Sequence, residues 1–355
     1  MNGRAGVLAM LAETAMRDDV DRVAAAAGVA VVHVAQPPSR QAWTGASAVL
    51  LDAAGAGSCS APSLPRRTQV IMLSSAEPGA ADWHGAIAVG ADRVMTLPAD
   101  EAELVAALSE AAAYGGRDAD RRGAVLAVMG GRGGAGASLF ATALAQSARD
   151  ALLVDADPWS GGIDLVAGSE DKPGLRWPDL ALQHGRLDFA ALRQALPRIG
   201  GLSVLSSVRG GNDVEPGPLA AVVDAGRRGG ATVVCDLPRR LTRAVEFAVD
   251  TADLVVLVTT ADIRGCAATT AVAAALSAIN PNVGLVVRGP SPAGLRPADV
   301  ARTVELPLLA AMRAQPPLAA MLERGGLRIG HRSPVTAAAR RVLAVLARHP
   351  LADVA

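Results

Sequence analysis

Only one lysine, Lys172, stands among the 34 basic side chains of this 355-residue chain; the others are arginine. A lysine position filled by arginine therefore carries little functional information here, whereas one filled by alanine is a real loss of charge. Net charge is also lacking. Basic and acidic residues balance to zero, which argues against a strongly basic nucleic-acid binder, and an apolar content of 51% argues against a disordered chain. No uninterrupted apolar stretch approaches the roughly 20 residues of a membrane span. The first apolar run, Gly6–Ala12, ends at Glu13 without a strongly basic start, so no secretory leader is expected. The three cysteines, Cys59, Cys235 and Cys266, are odd in number and lack metal-ligand spacing. They read as buried thiols of a reducing compartment, and the protein as cytoplasmic. The histidines, His84 and His331 among them, show no ligand or nucleophile–base spacing, which leaves no case for a hydrolase or oxidoreductase site.

What is present is a repeated alternation of apolar runs and alanine-rich segments, in a chain long enough for about two domains. The polar, glycine-flanked stretch 115–123 reads as a linker between a domain at 1–114 and another at 124–355. In the first, Val29–Val34, Ala48–Leu51, Gln69–Leu73 and Arg93–Thr96 read as strands, and Val20–Ala27, Trp83–Val89 and Glu101–Ala113 as helices. In the second, Val125–Met129, Leu152–Asp155, Ser203–Leu205, Thr232–Asp236, Leu254–Thr259 and Gly284–Val287 read as strands. Several are continuously apolar, as expected of parallel strands covered by helices on both faces. Pro218–Arg228, Arg239–Val249 and Gly265–Ile279 are the intervening helices. The fold class is α/β, with two doubly wound sheets.

Between the run 124–129 and the helix Leu139–Arg149 lies Gly130-Gly131-Arg132-Gly133-Gly134-Ala135-Gly136-Ala137-Ser138. Strand, glycine-rich turn and helix is the context in which backbone N–H groups and a helix N-terminus cradle phosphate. The pattern G-x-x-x-x-G-K-[ST] fits at Gly131, Gly136 and Ser138 but has Ala137 in place of the lysine. Two further patches end strands: Asp155-Ala156-Asp157, with Gly161-Gly162-Ile163-Asp164 beyond it, and Asp236-Leu237-Pro238. A carboxylate at a strand end suits Mg²⁺, directly or through water, and equally suits a helix cap. All three patches fall at the carboxyl ends of strands, the ligand crevice of an open α/β sheet. Trp159 and Trp177 flank the second patch and are expected to pack its loop.

The first domain resembles a response-regulator receiver: Asp52 ends a strand where that family accepts phosphate, Ser74 or Ser75 takes its hydroxyl position, and Leu97-Pro98 matches its Lys-Pro. The lysine is thus leucine, and the Mg²⁺-binding acidic pair is missing from Val7–Leu11, which implies a non-catalytic docking domain, a pseudo-receiver. The second domain resembles the MinD/ParA group of deviant-Walker P-loop ATPases. By that resemblance Gly131, Gly133, Gly134, Gly136 and Ala137 line the nucleotide, and Arg132 sits at the signature lysine that crosses a nucleotide-dependent sandwich homodimer. Ser138 and Asp236, the latter at the Walker B position, take Mg²⁺. Asp155 and Asp157 match the switch I carboxylates, Asp157 placing the attacking water. The strand 254–259 resembles the one after the second switch.

A receiver-like domain ahead of such a unit resembles the CpaE/TadZ branch, and most of all its septum-site-determining members in actinobacteria. The resemblance implies ATP with Mg²⁺ as ligands, partners in cell division or in pilus and secretion assembly, and recruitment to septum or pole. Two departures weaken the ATPase. Ala137 removes a charge-assisted contact worth about 1.5–3 kcal/mol, roughly one to two orders of magnitude in affinity. Val287-Arg288 stands where the family has an adenine-reading asparagine, whose paired donor and acceptor neither residue copies. Hydrolysis, which depends on neutralising transition-state charge, should suffer more than binding. The expectation is a degenerate site with little or no turnover. Val335–Arg348 reads as an amphipathic helix that docks on its own domain, leaving membrane contact peripheral at most. Arg227-Arg228, Arg239-Arg240-Arg243 and Arg340-Arg341 read as solvated helix surface, with no specific nucleic acid implied.

Overall fold

A computed structural model describes residues 6–59, 64, 67–119, 123–180, 187–210, 213–292, 294–315, 317–330 and 332–348. The chain divides into two compact units, the first ending at Arg121 and the second beginning at Arg122.

The first unit runs β1 (Val7–Met10), α1 (Thr14–Ala27), β2 (Val31–His33), α2 (Arg40–Gly45), β3 (Val49–Leu51), α3 (Ala53–Cys59), β4 (Val70–Ser74), α4 (Ala80–Val89), β5 (Arg93–Thr96) and α5 (Glu101–Ala119). Its five strands are all parallel in the order β2-β1-β3-β4-β5. Alternate strand residues serve opposite faces. Ala9, Leu50 and Ile71 pack with Val20 of α1 and Leu104 and Leu108 of α5, while Leu8, Val49 and Met72 pack with Trp43, Ala56 and Ala86. This buries both faces and explains the continuous apolar runs.

The expected linker begins too early. Residues 115–119 continue α5, and residues 120–122 lie outside the described residues. Gly115 and Gly116 disfavour helix by about 1 kcal/mol each, but a helix anchored through Leu104, Leu108 and Ala111 propagates through them.

The second unit continues with β6 (Val125–Gly130), α6 (Ala137–Ser147), β7 (Ala151–Asp155), α7 (Ile163–Ala167), α8 (Phe189–Ala195), β8 (Arg198–Ile199), β9 (Leu202–Leu205), α9 (Pro216–Arg228), β10 (Thr232–Leu237), α10 (Arg243–Thr251), β11 (Leu254–Thr260), α11 (Ile263–Ser277), β12 (Val283–Arg288), α12 (Pro297–Val304), β13 (Leu308–Met312), α13 (Pro317–Leu322) and α14 (Pro334–Arg348). The eight strands are ordered β13-β12-β11-β6-β10-β7-β9-β8, parallel except for β8 against β9. Val125, Ala127 and Met129 of β6 face the core under α9 to α12, and Leu126 and Val128 face the core under α6 and α14. α10 starts at Arg243 rather than at Arg239, because the Thr242 hydroxyl caps it by accepting from Val245 N–H at 3.3 Å. The stripe Val335, Ala339 and Val342 is buried in the core, so α14 docks on its own unit. Among the described residues no helix is long and apolar enough to cross a membrane.

Candidate functional site

The glycine loop leaves the centre of the larger sheet. Gly131 extends the β6–β11 ladder by donating to the Val258 carbonyl at 2.8 Å, and a Cβ there would fall 2.2 Å from Thr269 Oγ1. Only glycine fits that approach. Gly134 and Gly136 adopt φ of +72° and +96°, turning the chain into α6, whose N-terminus has no side-chain cap. Uncapped N–H groups at a helix start are suited to an anion. Ala137 and Ser138 are the first residues of that helix.

The structure brings the expected carboxylates to the same edge. Asp155 and Asp236 are register partners on β7 and β10. Asp155 is fully buried, accepting from Asp157 N–H at 3.1 Å, Ile163 N–H at 3.0 Å and Ser207 N–H at 3.2 Å. Burial pushes its carboxyl up to about 6, against the pull of those three donors. Asp236 is 2% exposed and its Oδ2 has no hydrogen-bond partner. Burial, then the neighbouring Asp155, lifts its pKa well above the usual range, against the Ser138 hydroxyl, which favours its charged form. Asp157 is half-buried and accepts from Trp159 N–H at 3.0 Å. Among the described residues none of these three carboxylates has an ion-pair partner. No described cluster of three or more His, Cys, Asp or Glu is placed to hold a metal ion, so a cation here needs oxygens from Ser138, a ligand or water as well.

Arg132 points elsewhere. Its Nη1 lies 3.3 Å from Asp262 Oδ2, and Asp262 also caps α11 and accepts from Thr260. The Thr260 hydroxyl and Gly265 N–H, with Arg132 a lesser contributor, hold the Asp262 carboxyl below its ordinary value. Arg288 closes the other rim, donating from Nη2 to the Gly134 carbonyl at 3.1 Å, while Val287 is fully buried. Beyond the second patch, Asp164 is buried with Arg176 and Arg209 at 3.8 and 3.6 Å.

Two expectations fail. Trp177 does pack the loop, its Nε1 donating to the Asp155 carbonyl at 2.6 Å, but Trp159 is 83% exposed with the Arg240 guanidinium over its ring. Arg227 is not solvated; it is buried and pairs with Asp253 at 2.7 Å, because an adjacent carboxylate at the sheet's lower edge offsets its desolvation. Arg240, by contrast, is exposed and pairs with Asp213, and the exposed Arg228 donates to the Leu187 carbonyl. Sequence reasoning also missed Asp262 and the apolar crown around the loop. Trp159, Val208, Leu241 and Ile263 are exposed and follow β7, β9, β10 and β11 in turn. Their signal was the apolar residue just past each strand end.

In the first unit, both Asp52 oxygens are occupied: Oδ1 accepts from Gly55 N–H at 2.7 Å and Oδ2 from Ala12 N–H at 2.5 Å. Ser74 and Leu97 are buried, Leu97 within the core between α1 and α5, and Ser75 is exposed.

Residues 10–119 match the family described as Rv3660c-like, CheY-like N-terminal domain. Over 341 residues the chain is 60% identical to the protein Rv3660c of Mycobacterium tuberculosis H37Rv, an alignment covering 96% of this chain and 97% of that one. A ParA family ATPase from Chlorobium tepidum superposes with a TM-score of 0.55 at 13% identity, covering 63% of this chain and 98% of the other. The septum site-determining protein MinD from Pyrococcus horikoshii, solved with Mg-ADP, gives 0.50 at 18% identity, covering 62% and 93%. The larger sheet thus has the fold of the MinD/ParA P-loop ATPases, behind a CheY-like domain.

Proposed function

The chain belongs to the Rv3660c-like family, and on that premise we propose that it is a cytoplasmic spatial regulator of septum-site determination, acting through protein contacts of a MinD/ParA-like unit whose nucleotide site is degenerate. The observation that carries this reading is Ala137. The loop keeps its strand, its left-handed glycines and its open helix N-terminus, yet a methyl group occupies the position that should bring a cation to the phosphates. The residues present otherwise fit ATP with Mg²⁺: Ser138 and Asp236 would hold the cation, supported by the orphaned Asp236 oxygen. That ion would neutralise phosphate charge. The first unit acts as a pseudo-receiver for docking, since Asp52 is spent on two backbone N–H groups and among the described residues makes no ion pair. Two measurements test the reading: phosphate release by the purified protein, and the position of a fluorescent fusion in dividing cells. Background turnover with septal recruitment is expected; robust turnover, or a uniform distribution, would refute it. A polar focus would instead favour the CpaE/TadZ-like role in pilus or secretion assembly.

The orphaned oxygen of Asp236 also favours a second reading, a working switch that dimerises on ATP through Arg132 and the exposed crown of Trp159 and Ile263. Asp157 would then place the attacking water. Sedimentation with and without Mg-ATP separates the two, because only the switch changes mass on adding nucleotide.

A further inference from the structure

We propose that Arg288 supplies from β12 the cation that the phosphate loop lacks at position 137, and that the site therefore takes a polyphosphate whatever base it carries. This rests on the nucleotide reading above and names the ligand class and the residue that recognises it.

Three observations carry it. The Arg288 side chain crosses from the end of β12 to the loop, where Nη2 donates to the Gly134 carbonyl at 3.1 Å. Its Nη1 lies 2.8 Å from where a Cβ on Gly136 would stand, so the guanidinium rests on the residue that caps α6. Glycine at 136 is what leaves it room. The helix start beneath has no side-chain cap, and the buried Asp236 oxygen at the same edge has no partner. Both are polar groups left for a ligand to satisfy.

The chemistry of the head group decides the ligand. A guanidinium has five N–H donors; one is used on Gly134, and among the described residues the others have no protein partner. A planar fork of donors matches phosphate oxygens. It cannot match the adenine edge, which presents donor and acceptor together, and the preceding Val287 is apolar and fully buried. The strand end that would select adenine thus binds charge instead. Arg132, the loop's other guanidinium, is held by Asp262.

The test uses the full chain and calorimetric titration with Mg-ATP, Mg-GTP and inorganic tripolyphosphate. The three are expected to bind within about threefold of one another. Arg288→Ala should weaken all three by about 10- to 100-fold, the range for one charge-assisted contact. Arg288→Gln, which can keep the bond to Gly134 without the charge, should lose nearly as much, and a thermal melt identical to wild type guards against misfolding. Adding Ala137→Lys to Arg288→Ala should restore binding. Wild-type binding left unchanged by Arg288→Ala and Arg288→Gln would overturn this inference and leave the nucleotide reading standing. A preference for ATP above tenfold would do the same. No binding of any of the three by wild type would overturn both.

Discussion

Asp236→Asn should stabilise the ligand-free protein, by an amount that grows with pH. In the native state this carboxyl is 2% exposed, carries an oxygen without a partner and stands beside Asp155. It must therefore either stay charged without solvation or stay protonated at neutral pH. The second course sets the ceiling. At pH 7, protonating a group whose ordinary value is 3.8 costs about 1.36 kcal/mol for each of about 3 units, or roughly 4 kcal/mol. Asparagine has the shape of the protonated form and avoids that cost, so the expected gain at pH 7 is about 2–4 kcal/mol, shrinking to about 1 kcal/mol or less at pH 4.5. The sign follows from linkage. Folding raises the pKa, so the native chain holds a proton the unfolded chain has released, and wild-type stability falls as pH rises above about 4. Asp155, lifted to about 6, acts in the same direction, and its own share of the loss levels off above that pH while that of Asp236 continues. The assay is urea-dependent hydrogen exchange of β10 peptides in EDTA, which reads the larger unit alone. A variant no more stable than wild type at pH 7, or a gain of the same size at both pH values, would refute the reasoning. Adding Mg-ATP should reverse the order, because asparagine is a poor ligand for a hard cation.

Gly131→Ala should destabilise the larger unit by about 1–3 kcal/mol, the usual cost of overpacking, because its Cβ would meet Thr269 Oγ1 at 2.2 Å; chemical denaturation reads it. Asp52→Ala should destabilise the first unit by about 1–3 kcal/mol, leaving the Ala12 and Gly55 N–H groups without acceptors, as a thermal melt will show. Incubation with acetyl phosphate and Mg²⁺ should leave the mass of wild-type protein unchanged.

The strands were legible because parallel sheets covered on both sides demand unbroken apolar runs, and β6, β7, β10 and β11 each supply one. The site was legible in part for the same reason: carboxylates and glycines that end such runs must gather at one sheet edge. Partnership was not legible. Arg227 and Arg240 look alike in sequence, yet one is buried against Asp253 and the other stacks on an exposed Trp159. Those outcomes depend on which carboxylate or ring the fold brings near, at separations local pattern does not encode. Arg288 is the sharpest case. As a residue it was a missing adenine reader; in the fold it is a guanidinium seated on the phosphate loop, 154 positions from the carbonyl it holds. The extension of α5 through Gly115 and Gly116 shows tertiary anchoring overriding local propensity.

The most direct measurement compares steady-state ATP hydrolysis by wild type, Ala137→Lys and Asp236→Asn under identical Mg²⁺. A site degenerate through the loss at 137 should give wild-type turnover at the Asp236→Asn background, with Ala137→Lys rising at least tenfold above it. Wild-type turnover well above that background, unimproved by the lysine, would contradict it.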